Sequence, residues 1–309
     1  INYKKGLFLK LADNLEAEID ECARLETIEM WMLYSSSKAW LQKTANLIRW
    51  FANNFENILK ETYYETEWLK VKEVYDPIWV IYWVAPWNFP FNQLLRAAVP
   101  NILAWNTQVY KHSSNVPLVA QKIEELFTKS GFPTWVYSNL FVPSSFSEDI
   151  IKNKYIAWVN LTWSEQAWSA VWALAWKYLK PSVLELWWND AFLVLDDSDI
   201  NKVVELAVNW RTRNWWQACN SSKRFLIPSN IYKEFVEKYS KAMSELIVWN
   251  PMDEKTQIQP MSSEKSLIDI ESQIQRAVNS WAKITTWWKR LDTKWYFFAP
   301  TVLANVTKE

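Results

Sequence analysis

The stretch that decides the fold is residues 78–111, IWVIYWVAPWNFPFNQLLRAAVPNILAWNTQVYK, which alternates strand-like and helix-like segments. The apolar, β-branched start at 78–81 predicts a strand, and 94–103 has the apolar spacing of a helix. Residues 107–110 predict a second strand. Strands that alternate with helices of this length are typical of a parallel sheet in an α/β domain.

The same alternation extends towards the C-terminus. The next predicted elements are a helix at 116–130, strands at 137–141 and 156–161, a helix at 165–179 and a strand at 183–186. Gly131 is a suitable residue to terminate the first of these helices. A second series has strands at 192–195 and 225–227 and helices at 199–209 and 231–246. We therefore predict a doubly wound parallel sheet followed by a second α/β domain, with the boundary near residue 186.

The residues before this region have a different character. Apolar positions over 7–60 repeat at helical spacing and predict helices. Residues 62–75 mix β-branched and aromatic residues with charges, which predicts a short exposed hairpin. The chain is therefore expected to begin with helices and a hairpin and to enter the α/β region at Pro77.

Charge, hydropathy and cysteine content narrow the functional class. The 309 residues have a formal net charge of zero, a pI of about 6.9 and no basic run, so nucleic acid and anionic membranes are poor partners. The longest apolar stretches are broken by proline and are too short to span a bilayer, and no signal peptide opens the chain. Cys22 and Cys219 form no disulfide framework. These features predict a cytoplasmic protein.

Tryptophan is abundant where glycine is expected. The chain has 24 Trp and 2 Gly, whereas an average chain of this length has about 22 Gly. Trp occurs at expected turns and helix ends: as pairs at 187–188, 215–216 and 287–288, as Trp249 before Asn250-Pro251, and as Trp281 after a helical pattern that ends at Ser280. Such places often need a left-handed backbone, which glycine adopts freely and a bulky side chain does not.

We interpret this pattern as glycine codons read as tryptophan. UGA is a stop codon in the standard code, Trp in some genomes and Gly in certain uncultured bacterial lineages. With Trp87 and Trp50 kept as true tryptophans, the remaining positions bring the chain to about 24 glycines, close to the normal share. The alternative is a genuinely Trp-rich protein, which UGG codons at 187, 188, 215 and 216 would establish.

Five short segments carry polar or reactive residues in a fixed order. They are Pro86-Trp87-Asn88-Phe89-Pro90, Lys111, Thr162-Trp163-Ser164, Leu184-Glu185-Leu186-Trp187-Trp188 and Trp216-Gln217-Ala218-Cys219. With Trp187, Trp188 and Trp216 read as glycine, this series resembles the aldehyde dehydrogenase superfamily, and the likeness runs from about residue 7 to Glu309.

The resemblance implies a division of labour along the chain. Residues 76–186 would form the NAD(P)-binding domain, to which the helices of 1–61 belong. Residues 62–75 would form an oligomerisation hairpin, and 187–309 the catalytic domain without its C-terminal part.

The resemblance also implies catalytic roles for three residues. Cys219 would attack the aldehyde carbon as a thiolate and form a thiohemiacetal. The side chain of Asn88 and the backbone N–H of Cys219 would stabilise the oxyanion. After hydride transfer to the nicotinamide, Glu185 would activate the water that hydrolyses the thioester.

Each of these residues has a structural alternative. A lone cysteine is usually a small buried hydrophobe, an interpretation that we keep for Cys22. Glu185 follows an apolar run in which an unpaired carboxylate is costly, so a salt bridge is its alternative role. Asn88 would otherwise be a turn residue. His112, the sole histidine, is interpreted as structural, and no His/Cys cluster predicts a metal site.

Cofactor contacts follow from the resemblance as well. Lys111 would bind the adenosine ribose, and Ser164 would help to hold the pyrophosphate at a helix start. Ser114 stands where many members carry Glu, and its neutral side chain does not repel a 2′-phosphate, which favours NADP over NAD. The other predicted cofactor contacts are Trp87, Trp163, Trp168 and Leu186. The alternative for Lys111 and Ser114 is a solvated strand end.

Two segments are similar to the succinate-semialdehyde dehydrogenase branch, KHSSNVP at 111–117 and SKRF at 222–225. Succinate semialdehyde is therefore the expected substrate, with Arg213 as a candidate for its distal carboxylate. Ser221 replaces a second cysteine that some members use for redox switching, so no such switch is expected. The alternatives are another short aliphatic aldehyde, a phosphorylating or CoA-acylating relative, or an inactive homologue with a binding or structural role.

Two features bear on whether this chain is active by itself. Indoles at 163, 168, 187, 188, 215 and 216 would crowd the proposed phosphate and catalytic sites, so the Trp-coded polypeptide is expected to fold poorly or to be inactive. The chain also lacks an initiator Met and ends before the family's last segment. We therefore expect a fragment of a longer protein, which would be a homodimer or homotetramer.

Overall fold

A computed structural model describes residues 2–186, 189–196, 198–214, 217–291 and 295–306. The chain forms two compact units. The first comprises Ile1–Glu29 and Ser37–Trp187, and the second comprises Met30–Ser36 and Trp188–Glu309.

The helices predicted over 7–60 are present as α1 (Asn2–Ala17), α2 (Ile19–Met30) and α3 (Tyr34–Ile58). Their buried residues recur at helical spacing, for example Phe8, Leu11, Ala12 and Leu15 of α1. The predicted hairpin follows as the antiparallel strands β1 (Thr62–Glu65) and β2 (Lys70–Glu73). All eight of its strand residues are exposed.

A five-stranded parallel sheet forms the centre of the first unit. Its strands are β3 (Val80–Val84), β4 (Thr107–Lys111), β5 (Tyr137–Asn139), β6 (Ile156–Thr162) and β7 (Ser182–Glu185). They lie in the order β5-β4-β3-β6-β7, and every neighbouring pair is parallel. The order changes direction between β3 and β6, which places a crevice at the carboxyl ends of these strands. The prediction of a doubly wound parallel sheet is confirmed.

Four helices connect these strands: α4 (Pro90–Leu103), α5 (Pro117–Ser130), α6 (Ser147–Ile151) and α7 (Glu165–Lys177). Beneath α7 lies a core cluster that includes Tyr82 of β3, Val159 and Leu161 of β6, and Val171 of the helix itself. Burial of these apolar side chains fixes the helix on the sheet. The sheet, in turn, sets where each loop at the carboxyl edge begins.

The second unit is built from shorter elements. They are β8 (Ala191–Leu193), α8 (Ile200–Thr212), β9 (Arg224–Leu226), α9 (Tyr232–Ser244), α10 (Glu264–Asn279), β10 (Lys283–Ile284) and β11 (Leu303–Ala304). Strands β8 and β9 pair in parallel, whereas β10 and β11 pair antiparallel. The side chains of Val204, Ala207, Phe235 and Tyr239 join α8 to α9 in one core cluster.

Several predicted boundaries are wrong by two to four residues. The first strand runs over Val80–Val84 rather than 78–81, because Trp79 has a left-handed backbone that interrupts an extended run. The following helix starts at Pro90 rather than near Leu94, since a proline in the first helical position fixes the required φ. The short helix α6 and the two-residue strands β10 and β11 were not predicted.

Tryptophan and glycine occupy the same kind of helix end. After α5, Gly131 has a φ of 93°. After α4, Trp105 has a φ of 67°, and after α10, Trp281 has a φ of 71°. The left-handed backbone predicted at Trp281 is therefore confirmed, and a Cβ atom in this region costs about 1–2 kcal/mol.

The hydrogen bonds at these three helix ends are the same. The N–H of Trp281 donates to the carbonyl of Val278 (3.0 Å), and that of the next residue donates to Ala277 (3.0 Å). The residues after α4 and α5 form the equivalent pair of bonds. Such a pair defines the Schellman motif, whose left-handed residue is usually glycine. Leu179 closes α7 in the same way with a φ of 53°, so the motif tolerates a side chain but at a cost.

Candidate active site

Asn88 lies in the loop between β3 and α4, at the crevice of the sheet. Only 8% of Asn88 is exposed, and its neighbours Phe89 and Pro90 are also buried. The ring of Trp40 in α3 stands edge-on to that of Phe89, with 5.0 Å between the centroids. The loop is therefore packed into the first unit, and Asn88 is buried there rather than exposed as in a surface turn. Trp87, in the same loop, is half-buried.

Lys111 and Ser114 lie at the carboxyl end of β4. Lys111 is the last residue of the strand and pairs with Val84 of β3. Its side chain is half-buried, which lowers the pKa of its ammonium group, and it makes no ion pair with any residue that the structure describes. Ser114 is exposed in the loop that leads to α5. A cation in this position is placed to meet a polar or anionic ligand at the sheet edge.

Ser164 caps the N-terminus of α7, immediately after β6. Its Oγ accepts a hydrogen bond from the N–H of Ala167 (3.4 Å), which leaves other first-turn N–H groups for a phosphate. The ring of Trp168 stacks on that of Trp172 in the same helix, with 6.0 Å between the centroids. Trp163 and Trp168 also pack against the core cluster beneath α7, so these indoles are partly accommodated by the unit itself.

Glu185 ends β7, beside the end of β6. Its backbone carbonyl accepts the N–H of Trp163 (3.2 Å). The expectation that this carboxylate sits in an apolar, costly environment is wrong, because β7 is an edge strand and the side chain of Glu185 is exposed. Leu186, which follows it, is half-buried.

Cys219 lies on a turn of the second unit and is half-buried. The ammonium group of Lys223 donates hydrogen bonds to the carbonyls of Cys219 (3.1 Å) and Ser221 (3.2 Å), which holds the turn closed. Arg213, the C-cap of α8, is close enough to Cys219 for a charge interaction, and so is Lys223. Partial burial lowers the pKa of both cations.

Lys223 was missed as a functional candidate from the sequence. Its only signal was its place in the SKRF segment, because an ammonium group that binds backbone carbonyls depends on a turn conformation that no motif records. Arg213 was predicted. Its guanidinium carbon lies 5.4 Å from the centroid of the Trp210 ring, so the two side chains lie on the same side of α8.

The two remaining reactive side chains are buried in the first unit. Cys22 is fully buried in α2, and burial raises the pKa of its thiol to about 12. His112 is also buried, with Nε2 3.3 Å from the hydroxyl of Tyr137, and burial lowers its pKa to about 3. A neutral, enclosed imidazole agrees with the structural role expected for this residue.

The first unit thus brings four predicted residues to the carboxyl ends of adjacent strands: Asn88, Lys111, Ser164 and Glu185. The second unit places two cations beside Cys219. Trp187, Trp188, Trp215 and Trp216 lie outside the described residues. Within the described residues, no group of three or more His, Cys, Asp or Glu side chains is arranged to hold a metal ion. None of the helices in this described part is both long and apolar enough to cross a membrane.

Comparison with known proteins identifies the family of this chain. The model for the "Aldehyde dehydrogenase family" matches residues 1–309. A succinate-semialdehyde dehydrogenase [NADP(+)] from Mycobacterium avium is 37% identical over 301 residues. That alignment covers 96% of this chain but only 64% of the relative, so the chain spans less than two thirds of its length.

Solved structures have the same fold. The crystal structure of succinic semialdehyde dehydrogenase from Streptococcus pyogenes in complex with NADP+ superposes with a TM-score of 0.96 at 31% identity, over 99% of this chain and 67% of that one. The structure of Gox0499, studied for cofactor and substrate selection, gives a TM-score of 0.96 at 35% identity with the same coverage.

Proposed function

The chain belongs to the aldehyde dehydrogenase family, and we propose that the full-length protein oxidises an aldehyde to its carboxylic acid with NADP+ or NAD+. The setting of Cys219 carries this proposal. Its thiol is half-buried on a turn, with Arg213 and Lys223 within range of a charge interaction. Partly exposed cysteines beside cations are the ones that act as nucleophiles in proteins.

The proposed reaction starts at the sulfur atom. The Cys219 thiol gives up its proton to solvent, and the thiolate Sγ forms a bond to the aldehyde carbon. The π electron pair of the carbonyl bond moves to the oxygen, which becomes an oxyanion. The side-chain N–H of Asn88 and the backbone N–H of Cys219 donate hydrogen bonds to that oxygen. The nicotinamide of the bound cofactor supplies the acceptor for the hydride that leaves the former aldehyde carbon.

The thioester that remains on Cys219 is then hydrolysed. Glu185 removes a proton from a water molecule as its oxygen attacks the thioester carbon. The C–S bond then breaks, the acid is released, and the proton held by Glu185 returns to the sulfur to re-form the thiol. The exposed position of Glu185 at the end of β7 supports this role, since water reaches it from solvent.

We further propose NADP+ as the preferred cofactor. The half-buried ammonium of Lys111 suits the ribose and phosphate end of such a molecule, and Ser164 with the N-terminus of α7 suits its pyrophosphate. The exposed Ser114 adds no negative charge there. The names of the relatives in M. avium and S. pyogenes support the same cofactor.

Succinate semialdehyde is the proposed substrate. The relatives' names support this choice. Arg213 supports it too, because its guanidinium lies near Cys219 and could pair with the distal carboxylate of a four-carbon semialdehyde. Butanal, an uncharged aldehyde of the same length, is the matched comparison in the assay.

The test is a steady-state assay of the full-length protein, followed by the absorbance of the reduced cofactor. Cys219→Ala is expected to lower kcat by roughly 10³-fold or more, because the covalent intermediate cannot form. Cys22→Ala, which removes the buried thiol, is the control and should retain activity within a few fold. Unchanged turnover in Cys219→Ala would reject the proposal.

The same assay separates hydrolysis from acyl transfer. Glu185→Gln should still give one rapid turnover of hydride transfer, followed by slow release of the acid. If this variant turns over normally when CoA or phosphate is added, the protein is an acylating relative instead.

We also propose that the full-length protein is a homo-oligomer that uses its exposed hairpin in the contact, and that it works in the cytoplasm. Tyr63, Tyr64 and Val71 of the hairpin are all exposed, as expected of a strand pair that binds another subunit. A reducing compartment suits a nucleophile that must remain a free thiol.

Finally, we propose that most tryptophans of this chain are glycines in the natural protein, encoded by UGA. Trp31, Trp79, Trp105 and Trp281 all have positive φ, whereas the other non-glycine residues with positive φ among those described are Leu179, Asn214 and Asn305. Reading the codons of the gene decides this directly, and UGG at these four positions would refute it.

A further inference from the structure

Two helices that flank the crevice begin without a capping residue of their own. Helices α4 and α5 each have proline in the first turn, and their N-cap residues are Phe89 and Val116, whose side chains cannot accept a hydrogen bond. The N–H groups of a first helical turn have no partner within the helix and require acceptors from elsewhere. Both helices therefore depend on another part of the chain.

Helix α2 supplies the acceptors for both. The backbone N–H of Phe91 in α4 faces the carboxyl group of Glu26, within range of a hydrogen bond. The carboxylate of Glu29 accepts the backbone N–H groups of Leu118 (2.7 Å) and Val119 (2.9 Å) in α5. The two glutamates are three residues apart and thus share one face of α2. One short helix therefore fixes the start of the two helices that follow β3 and β4.

The contact at Glu26 is enclosed, whereas that at Glu29 is only half-buried. Glu26 is 2% exposed, and the hydroxyl of Ser37, near the start of α3, donates to its carboxylate. A second bond from α3 reaches the same turn, because the amide of Asn92 donates to Thr44 Oγ1 (2.8 Å). Together with the contact of Trp40 on Phe89, these bonds hold residues 89, 91 and 92.

We propose that Glu26 is a positioning residue for catalysis, which fixes the first turn of α4 and thereby the side chain of Asn88. Only Phe89 separates Asn88 from the first residue of α4. The inference rests on the proposed function, in which the Asn88 amide donates to the oxyanion. Such a donor stabilises developing charge only when it is already in place, and a displacement of about 1 Å can cost about 100-fold in rate.

The experiment compares four forms of the full-length protein: wild type, Glu26→Ala, Glu26→Gln and Glu29→Ala. With saturating NADP+ and succinate semialdehyde, Glu26→Ala should lower kcat by about 100-fold while its KM for NADP+ stays within about twofold. Glu26→Gln keeps an oxygen that accepts the Phe91 N–H, so it should recover kcat to within about fivefold. Glu29→Ala removes the equivalent cap from α5 and should leave kcat within about twofold.

Hydrogen exchange gives a readout that does not depend on activity. In Glu26→Ala, the amides of residues 91 and 92 should exchange faster, while those of 118 and 119 keep the wild-type rate. The inference is overturned if exchange at 91–92 is unchanged, or if Glu26→Ala and Glu29→Ala lower kcat equally. A wild type that does not oxidise aldehydes would reject the proposed function, and the exchange rates at 91–92 would still test the Glu26 contact independently. If Glu26→Ala does not fold, Ser37→Ala takes its place and is compared with Glu26→Gln. Ser37→Ala removes the hydrogen bond that holds the Glu26 carboxyl, so it should also speed exchange at 91–92.

Discussion

At the scale of single residues, Gly131, Trp105 and Trp281 share a left-handed backbone conformation, although the first is glycine and the other two are tryptophan. The hydrogen bonds that end a helix determine this conformation, whatever side chain is present. Tryptophan is tolerated in the described structure because it points outward: 58% of Trp105 and 89% of Trp281 are exposed. What remains is a steric cost at the backbone, which a substitution can measure.

Trp281→Gly is expected to stabilise the second unit. Removal of the Cβ relieves the left-handed strain, worth about 1 kcal/mol, and should raise the thermal midpoint of that unit by about 2–4 °C. Trp281→Ala is the matched control, because it removes the same indole but keeps the Cβ, and it should give little or no gain. Equal gains from both substitutions would show that the indole, and not the backbone, is the source of the strain.

Glu26 is expected to make stability depend on pH. Burial raises the pKa of its carboxyl from 4.5 to about 7. Between these values the folded protein keeps a proton that the unfolded chain has released, so the free energy of unfolding falls as the pH rises, by at most about 1.4 kcal/mol per pH unit. This contribution is complete below about pH 4.5 and is lost above about pH 7.

Glu26→Gln cannot titrate and should remove that part of the slope. Urea unfolding of wild type and variant at about pH 5 and about pH 7.5 measures the difference. Parallel slopes in the two proteins would mean that Glu26 does not hold its proton in the folded state.

At the scale of elements, hydrophobic periodicity was sufficient for the sheet and its long helices. Strand β6 and helix α7 were found within two residues, because their apolar residues recur with the periods of a strand and a helix. The two-residue strands β10 and β11 were not found, since two residues contain no period. Helix α4 begins four residues before the predicted start at 94, because a proline in the first helical position is not part of the apolar period.

The hairpin is the element whose exposure predicts an interaction. Tyr64 of β1 and Val71 of β2 lie directly opposite each other and form a small exposed apolar pair. Val71→Glu should lower the oligomeric mass of the full-length protein in light scattering, because a charge would be buried in the proposed contact. Lys70→Gln, on the other face of the same strand, is the control. Loss of the oligomer in both variants, or in neither, would argue against this surface.

At the scale of the whole molecule, much of the candidate site was predicted, because its residues follow strands. Asn88, Lys111 and Glu185 belong to short motifs at the carboxyl ends of β3, β4 and β7, where a parallel sheet gathers its ligand contacts. Glu26 and Lys223 were not predicted. Each contacts backbone groups that come close to it only in the folded chain, so no local sequence pattern predicts the role of either residue.

The identity of the tryptophans should decide the activity of the whole protein. Expressed in full length with glycine at the doubtful positions, it should oxidise succinate semialdehyde at least about 100-fold faster than the Trp-coded form. The reason is that Trp187, Trp188 and Trp216 adjoin Glu185 and Cys219 in the sequence, where an indole displaces substrate or cofactor. Comparable rates for the two forms would make the codon proposal irrelevant to function.

The grouping of Met30–Ser36 with the second unit has a consequence for synthesis. This segment joins α2 to α3 and includes the last residue of α2 and the first three of α3, and the N–H of Tyr34 donates to the carbonyl of Pro251 (3.0 Å). The ribosome makes the two partners about 200 residues apart, which at ~5–20 residues per second is a delay of about 10–40 s. The first unit is therefore synthesised before the partner of this segment has been made. Residues 30–36 therefore reach their final contacts only after the second unit has been synthesised.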